Sequence, residues 1–182
     1  SLTSLNNFFK KFDSKIFRSE KVDTHGGSIR VYIKKDKKVK IENSVIKMLK
    51  EEDNFGIKDF KTYKKFGEQV YKIRENVLAN LKKLKENNNT IIGYGAPAKA
   101  TTALNFFGIS NEIDFIVEDN KLKHNKFIPG VNIPIKNKSK IKNKKNTLLV
   151  LAWNFYNDIK KNNSNLSNNF VNIKDLESNS WK

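Results

Sequence analysis

The chain has no cysteine, one methionine, three prolines and only two histidines among its 182 residues. The missing cysteine excludes disulfides, thiolate metal sites and a cysteine nucleophile. Two histidines weigh against an all-protein zinc site. No apolar run approaches the length of a bilayer span and no signal peptide opens the chain, so the expectation is a cytoplasmic protein with no membrane partner. Acidic residues are scarce as well: 19 against 36 lysines and arginines, a formal net charge of +17. The lysines are spread through the chain together with asparagine, and do not form a basic patch interleaved with aromatics. That spread weighs against a nucleic-acid partner. An anionic ligand would still be drawn by such a field.

What is present is enough for one good-sized core with room for an appendage. Leu2, Leu5, Phe8, Phe9 and Phe12 recur at helical spacing over residues 1–12. Residues 15–22 and 28–34 alternate as strands, the second with Ile29, Val31 and Ile33 on one face, around a Gly26-Gly27 turn; together they predict a β-hairpin. This helix and hairpin, residues 1–35, are too little for a domain and read as the last piece of one. A charged linker follows, then a helix over 41–53, then the longest helical pattern, 58–88. In that pattern Phe60, Tyr63, Phe66, Val70, Ile73, Val77, Leu81 and Leu84 recur every three or four residues. Its length fits a coiled coil, but its aromatics suit a globular core better. Residues 36–89 therefore read as linker and helices.

Residues 90–182 read as α/β. Strand 90–92 meets the turn Gly93-Tyr94-Gly95, and a helix begins near Pro97 and stops at Gly108. Strands follow at 114–117 and 132–135, a continuous apolar run TLLVLA (147–152) predicts a buried parallel strand, a helix covers 154–161 and an edge strand 170–173. The order β-α-β-β-β-α-β predicts a small, mostly parallel Rossmann-like sheet. Gly93-Tyr94-Gly95-Ala96-Pro97-Ala98 fits G-x-G-x-x-A, and Glu118 ends the next strand where a ribose-binding acid would stand. A dinucleotide fold, as in an NAD(P)-dependent oxidoreductase, is one reading. A purely structural strand–helix turn is another. Pro97 in the motif and Lys99 just after it fit better a phosphate that ends near the turn than a pyrophosphate that crosses it.

The segments GYGAPAKATTALNFFGI, DFIVEDNKLKHNKFIPGVNIPI and LLVLAWNFYNDI resemble the C-terminal domain of the sugar C-methyltransferase family. SLTSLNNFFKKFD followed by EKVDTHGGSIRVYI resembles the last helix and terminal strand pair of that family's central domain. The most specific pieces are His25-Gly26-Gly27-Ser28, residues 93–99, Phe127-Ile128-Pro129-Gly130 and Ile133-Pro134. The resemblance implies an S-adenosylmethionine-dependent enzyme that methylates a carbon of a nucleotide-linked keto-deoxysugar. It also implies a zinc-binding N-terminal domain, an upstream methyltransferase domain that holds the donor, and the sugar nucleotide between that domain and this one. The zinc cysteines, the donor's glycine motif and the family's His/Glu/Tyr catalytic segment have no counterpart in this sequence, so the chain alone is expected to be inactive. After Asp119-Asn120 the family's proline, glutamine and glycine are replaced by Lys121, His124 and Asn125, while Lys123 is kept.

The candidate site residues follow. His25 is either an auxiliary catalytic group facing the sugar, as donor or proton carrier, or a turn histidine held by backbone. Gly26, Gly27, Ser28, Gly93, Tyr94, Gly95, Ala96, Lys99, Glu118, Asp119 and Lys123 are the candidate substrate contacts. Lys99 would meet a phosphate, or be an ordinary solvated helix lysine. Tyr94 would stack on a base or sugar, or fill the turn. Glu118 and Asp119 would hold a ribose hydroxyl or cap the following loop. Trp153 and Phe155 read as packing, and His124 as a surface residue.

Overall fold

The structure is a computed structural model and describes residues 1–24, 26–36, 38–86 and 90–178. The chain divides into two compact units, Ser1–Glu68 and Gln69–Lys182. Among the described residues no helix is long and apolar enough to cross a membrane.

In the first unit, helix α1 (Leu2–Lys10) and helix α2 (Asn43–Phe55) pack with the antiparallel strands β1 (Lys15–Val22) and β2 (Ser28–Lys34). Leu2, Ile16, Val45 and Met48 form its small core, with Leu5, Phe9, Val31 and Leu49 partly buried around it. The Glu52 carboxylate of α2 accepts the N–H groups of Leu2 and Thr3 at 2.6 and 2.7 Å, satisfying donors that α1 cannot pair internally. The predicted apolar face of β2 is only partly covered. Val31 packs on the core, whereas Ile29 and Ile33 stay exposed, because a core of this size reaches only the middle of the hairpin. Helix α2 starts and ends two residues later than its apolar pattern suggests. Gly56, in a left-handed conformation, stops it by donating to the Asp53 and Glu52 carbonyls, as a C-terminal glycine does.

Helix α3 (Phe60–Glu86) begins in this unit and gives the clearest departure from its pattern. Phe60, Tyr63 and Phe66 have the spacing of a buried stripe yet are exposed. Apolar periodicity records which residues share a face, not whether anything lies against it.

The second unit is a five-stranded, wholly parallel sheet: β3 (Ile91–Tyr94), β4 (Phe115–Val117), β5 (Ile135–Lys136), β6 (Thr147–Val150) and β7 (Asn169–Asn172), in the spatial order β5-β4-β3-β6-β7. Helix α4 (Ala98–Phe107) joins β3 to β4, and helix α5 (Tyr156–Asn162) lies between β6 and β7. β3 runs on through Gly93 and Tyr94, so the predicted turn shrinks to Gly95. β5 sits later than predicted, at Ile135–Lys136, and Pro134 makes only an isolated bridge to Phe127. Strand alternation splits the core into two layers. Ile91 joins Val77, Leu81 and Leu84 of α3 and Leu104 of α4 on one face. Ile92 and Tyr94 join Leu148, Val150, Tyr156 and Ile159 on the other. The buried Asn80 amide donates to the carbonyls of Leu176 and Ser178, both at 2.9 Å, and so ties the C-terminal segment to α3.

Candidate functional site

Gly95 makes the sharp turn from β3 into α4. Its φ is 87°, a conformation that glycine adopts without strain, and its N–H donates to the Val117 carbonyl at 2.8 Å. The next donor, the Ala96 N–H, goes to Glu118 Oε2 at 2.8 Å. Glu118 Oε1 accepts the Asn120 N–H at 3.0 Å. Lys123 Nζ donates to the Ala96 carbonyl at 2.8 Å and lies 3.5 Å from Glu118 Oε2. His124, half-buried, has its Nε2 2.7 Å from the Glu118 carbonyl; since a carbonyl only accepts, that nitrogen carries the proton. Glu118, Lys123 and His124 thus form a clasp over the turn, and His124 is not the bare surface residue its loop position suggests. Burial tends to raise the Glu118 pKa. The N–H groups of Asn120 and Ala96 and the Lys123 ammonium outweigh it, and the carboxyl is held below its ordinary value.

Both glycines of the turn are required by the chain's own packing. A Cβ on Gly93 would lie 2.6 Å from Ile116 Cγ1 and 3.1 Å from Leu151 Cδ1; one on Gly95 would lie 2.9 Å from the Ala152 Cβ. Tyr94 is not at the surface of the turn. Alternation along β3 puts its ring with Ile92, 2% exposed, so no base or sugar can stack on it. Its hydroxyl lies 3.0 Å from Asp119 Oδ2 and 3.2 Å from Asn163 Oδ1. Lys138 pairs with Asp119 and donates to Asn163 at 2.9 Å. Burial pushes the Tyr94 phenol up, with Lys138 opposing and Asp119 adding. For Lys138, burial acts downward but the bonds to Asp119 and Tyr94 outweigh it, and its pKa is raised. The adjacent acids Glu118 and Asp119 therefore serve two different polar clusters.

The opening at the top of the sheet lies beside this turn. From β3 the chain builds outward through β4 to β5, then crosses back to β6 on the other side of β3. In open parallel sheets, ligands bind at such a reversal, beyond the carboxyl ends of the strands. A small cleft of about 60 Å³ lies there, lined by Pro97, Lys99, Leu151, Ala152, Trp153 and Phe155 among others. Pro97 stands at the N-cap of α4, one position before the helix, and provides no side-chain cap. The N–H groups of Ala98 and Lys99 have no acceptor within the helix. Lys99 Nζ sits over the Trp153 ring, 5.4 Å from its centroid, and Phe155 is 63% exposed. The cleft thus offers a cation and an aromatic wall beside the start of a helix, a combination suited to an anionic group attached to an apolar or planar body.

Among the sequence candidates, Ala96, Lys99, Glu118 and Lys123 gather at the turn and its cleft. Asp119 and Tyr94 lie on the other face of the sheet. Gly26, Gly27 and Ser28 belong to the first unit, where the Gly27 N–H and the Ser28 hydroxyl both donate to the Thr24 carbonyl. His25 lies outside the described residues. Trp153 and Phe155 read as packing, yet they line the cleft; their position just after a continuous apolar strand was the available signal, which becomes informative once the strand order is known. The Phe127-Ile128-Pro129-Gly130 loop is bound by its own chain: Asn105 Nδ2 of α4 donates to the Pro129 carbonyl at 2.9 Å. No group of three or more His, Cys, Asp or Glu side chains that could hold a metal occurs among the described residues.

Residues 23–172 match the profile of the C-methyltransferase C-terminal domain family. The chain belongs to that family. It is also 30% identical over 164 residues to the C-methyltransferase NovU of Streptomyces niveus, an alignment that covers 87% of this chain and 39% of NovU. The chain thus spans well under half the length of this curated relative. The glycine turn, the clasp and the cleft all lie within the matched span.

Proposed function

We propose that this chain is the sugar-nucleotide-binding, C-terminal part of an S-adenosylmethionine-dependent C-methyltransferase that acts on a nucleotide-linked keto-deoxysugar. The observation that carries this reading is the cleft at the β3–β6 reversal, where Lys99 at the start of α4 would meet a phosphate beside Trp153 and Phe155. The matched family adds the methyl-transfer chemistry. Methylation of a carbon next to a ketone needs a proton removed and an enolate stabilised. In this reading the chain holds the nucleotide end and leaves the reacting carbon to groups supplied elsewhere in the intact protein.

The residues of the glycine turn do not fit the methyl donor. Ile116, Leu151 and Ala152 already take the space beside Gly93 and Gly95, and both Glu118 oxygens already accept backbone N–H groups. The same occupancy disfavours NAD at this turn. In this reading the donor is bound by an upstream methyltransferase domain, and the methylating activity belongs to the intact enzyme.

Titration calorimetry with a nucleoside diphosphate and with its sugar conjugate tests the reading. Lys99→Ala should weaken both by about tenfold or more, the usual loss for one charge-assisted bond. Equal affinity of wild type and variant for every nucleotide tried would remove Lys99 from the site. Saturable binding of NAD instead would favour the oxidoreductase reading.

A further inference from the structure

Taking the cleft beside Lys99 as the phosphate site proposed above, we infer that Lys123 is a positioning residue for it. With Glu118 it fixes Ala96, and through Ala96 and Pro97 it sets where Lys99 stands. Lys123 is not among the residues that line the cleft, so its ammonium acts on the ligand through the chain and not by contact.

Both polar groups of the Ala96 backbone are taken by charged side chains. The N–H donates to Glu118 Oε2 and the carbonyl accepts from Lys123 Nζ, each at 2.8 Å. Such charge-assisted bonds are about twice as strong as neutral ones. The N–H just before them, of Gly95, goes to the Val117 carbonyl at 2.8 Å. The turn is thereby tied to the segment that follows β4, and that segment is itself braced. Lys123 sits in a short 3-10 turn, Lys121–Lys123. There the Asn120 side chain accepts the Leu122 N–H and the Asn120 carbonyl accepts the Lys123 N–H, both at 3.0 Å.

Between Ala96 and Lys99 the chain has little slack. Ala96 precedes a proline, which biases it to extended backbone. The ring of Pro97 locks φ, here at −73°, and Ala98 and Lys99 already belong to the first turn of α4. Pro97 offers no side-chain cap and that turn carries no acidic residue, so the clasp stands where a cap would. Lys99 Nζ reaches the Trp153 ring, 5.4 Å from its centroid. Trp153 follows β6, so this pair forms only when α4 starts in a fixed relation to the sheet.

A remote positive charge would also favour an anion, and Glu118 separates that effect from positioning. Both of its oxygens accept backbone N–H groups, whereas a glutamine amide has only one accepting oxygen. Glu118→Gln therefore loosens the clasp while making the chain more positive.

Titration calorimetry of the chain with uridine diphosphate and with adenosine diphosphate tests the role. Lys123→Met should weaken binding several-fold, and by no more than Lys99→Ala does. In the Lys99→Ala background Lys123→Met should weaken it no further, because residues that act through one another do not add. Lys123→Arg keeps a donor for the Ala96 carbonyl and should restore binding. Glu118→Gln should weaken it. Circular dichroism verifies folding, and the Lys123→Arg and Glu118→Gln variants carry the test if Lys123→Met does not fold. Unchanged affinity in Lys123→Met, a loss that adds in full to that of Lys99→Ala, failure of Lys123→Arg to restore binding, or tighter binding by Glu118→Gln would each overturn the positioning role and leave the phosphate site standing. Wild-type binding that Lys99→Ala leaves unchanged, or no saturable binding at all, would remove the site itself and this role with it.

Discussion

A Cβ added at Gly93 would lie 2.6 Å from Ile116 Cγ1, whereas one added at Gly26 or Gly27 would meet nothing within 4 Å. The two glycine turns look equally like ligand seats in sequence. At the strand–helix turn, the sheet's own side chains take the room that the missing side chain leaves. At the hairpin turn, φ values of 88° and 112° call for glycine, and the space beside it remains open. A glycine pattern therefore needs its surroundings before it can be read as a binding feature. In the second unit the cleft lies not over the glycines but one step along, beside Lys99 and Trp153.

Substitutions separate the two cases. Gly93→Ala adds a methyl group to a filled core and should cost about 1–3 kcal/mol, the usual range for overpacking, read as a drop in the denaturation midpoint. Ile116→Ala removes the Cγ1 that meets the new methyl group, so the loss in the double variant Gly93→Ala/Ile116→Ala should be less than the sum of the two single losses, which pure backbone strain would not allow. Gly26→Ala carries only the left-handed backbone penalty, about 1–2 kcal/mol, and no change at residue 116 should relieve it. If both glycine variants lost the same stability and each loss added in full to that of Ile116→Ala, the contrast between the turns would collapse.

The smallest effect concerns the clasp. The Glu118 carboxyl has its pKa lowered in the folded protein, against about 4.3 in an unfolded chain. Its contribution to stability is fully present above the unfolded value and is lost as pH falls through the folded one. Acidification from about pH 5 downward should therefore destabilise the wild type more than Glu118→Gln, which lacks the titrating group. Parallel melting curves against pH for the two proteins would contradict the clasp.

The elements legible in sequence were those with local signals. TLLVLA holds the buried strand β6, and Gly108 terminates α4 in the left-handed conformation expected of it. Lys99, directly after the glycine turn, lines the cleft. What escaped depended on distant partners. Tyr94 looked like part of a turn because two glycines flank it, but pairing with β4 and β6 extends the strand through it and alternation buries its ring. Trp153 and Phe155 could not be placed in the cleft without the strand order. Phe60, Tyr63 and Phe66 had the period of a core stripe without a core against them.

The strand order also sets a schedule for synthesis. β3 pairs first with β4, about two dozen residues further on, but its other edge must wait for β6, since Ile91 pairs with Thr147. While the chain is being made, the backbone of the central strand and the apolar side chains Ile91 and Ile92 stay half-covered for the whole stretch between β4 and β6. Long-range parallel pairing is slow and leaves strand edges open to wrong partners. The lysine-rich segment at 136–145, which emerges in that interval, adds like charge to each nascent chain and so keeps neighbouring copies apart until the edge is closed.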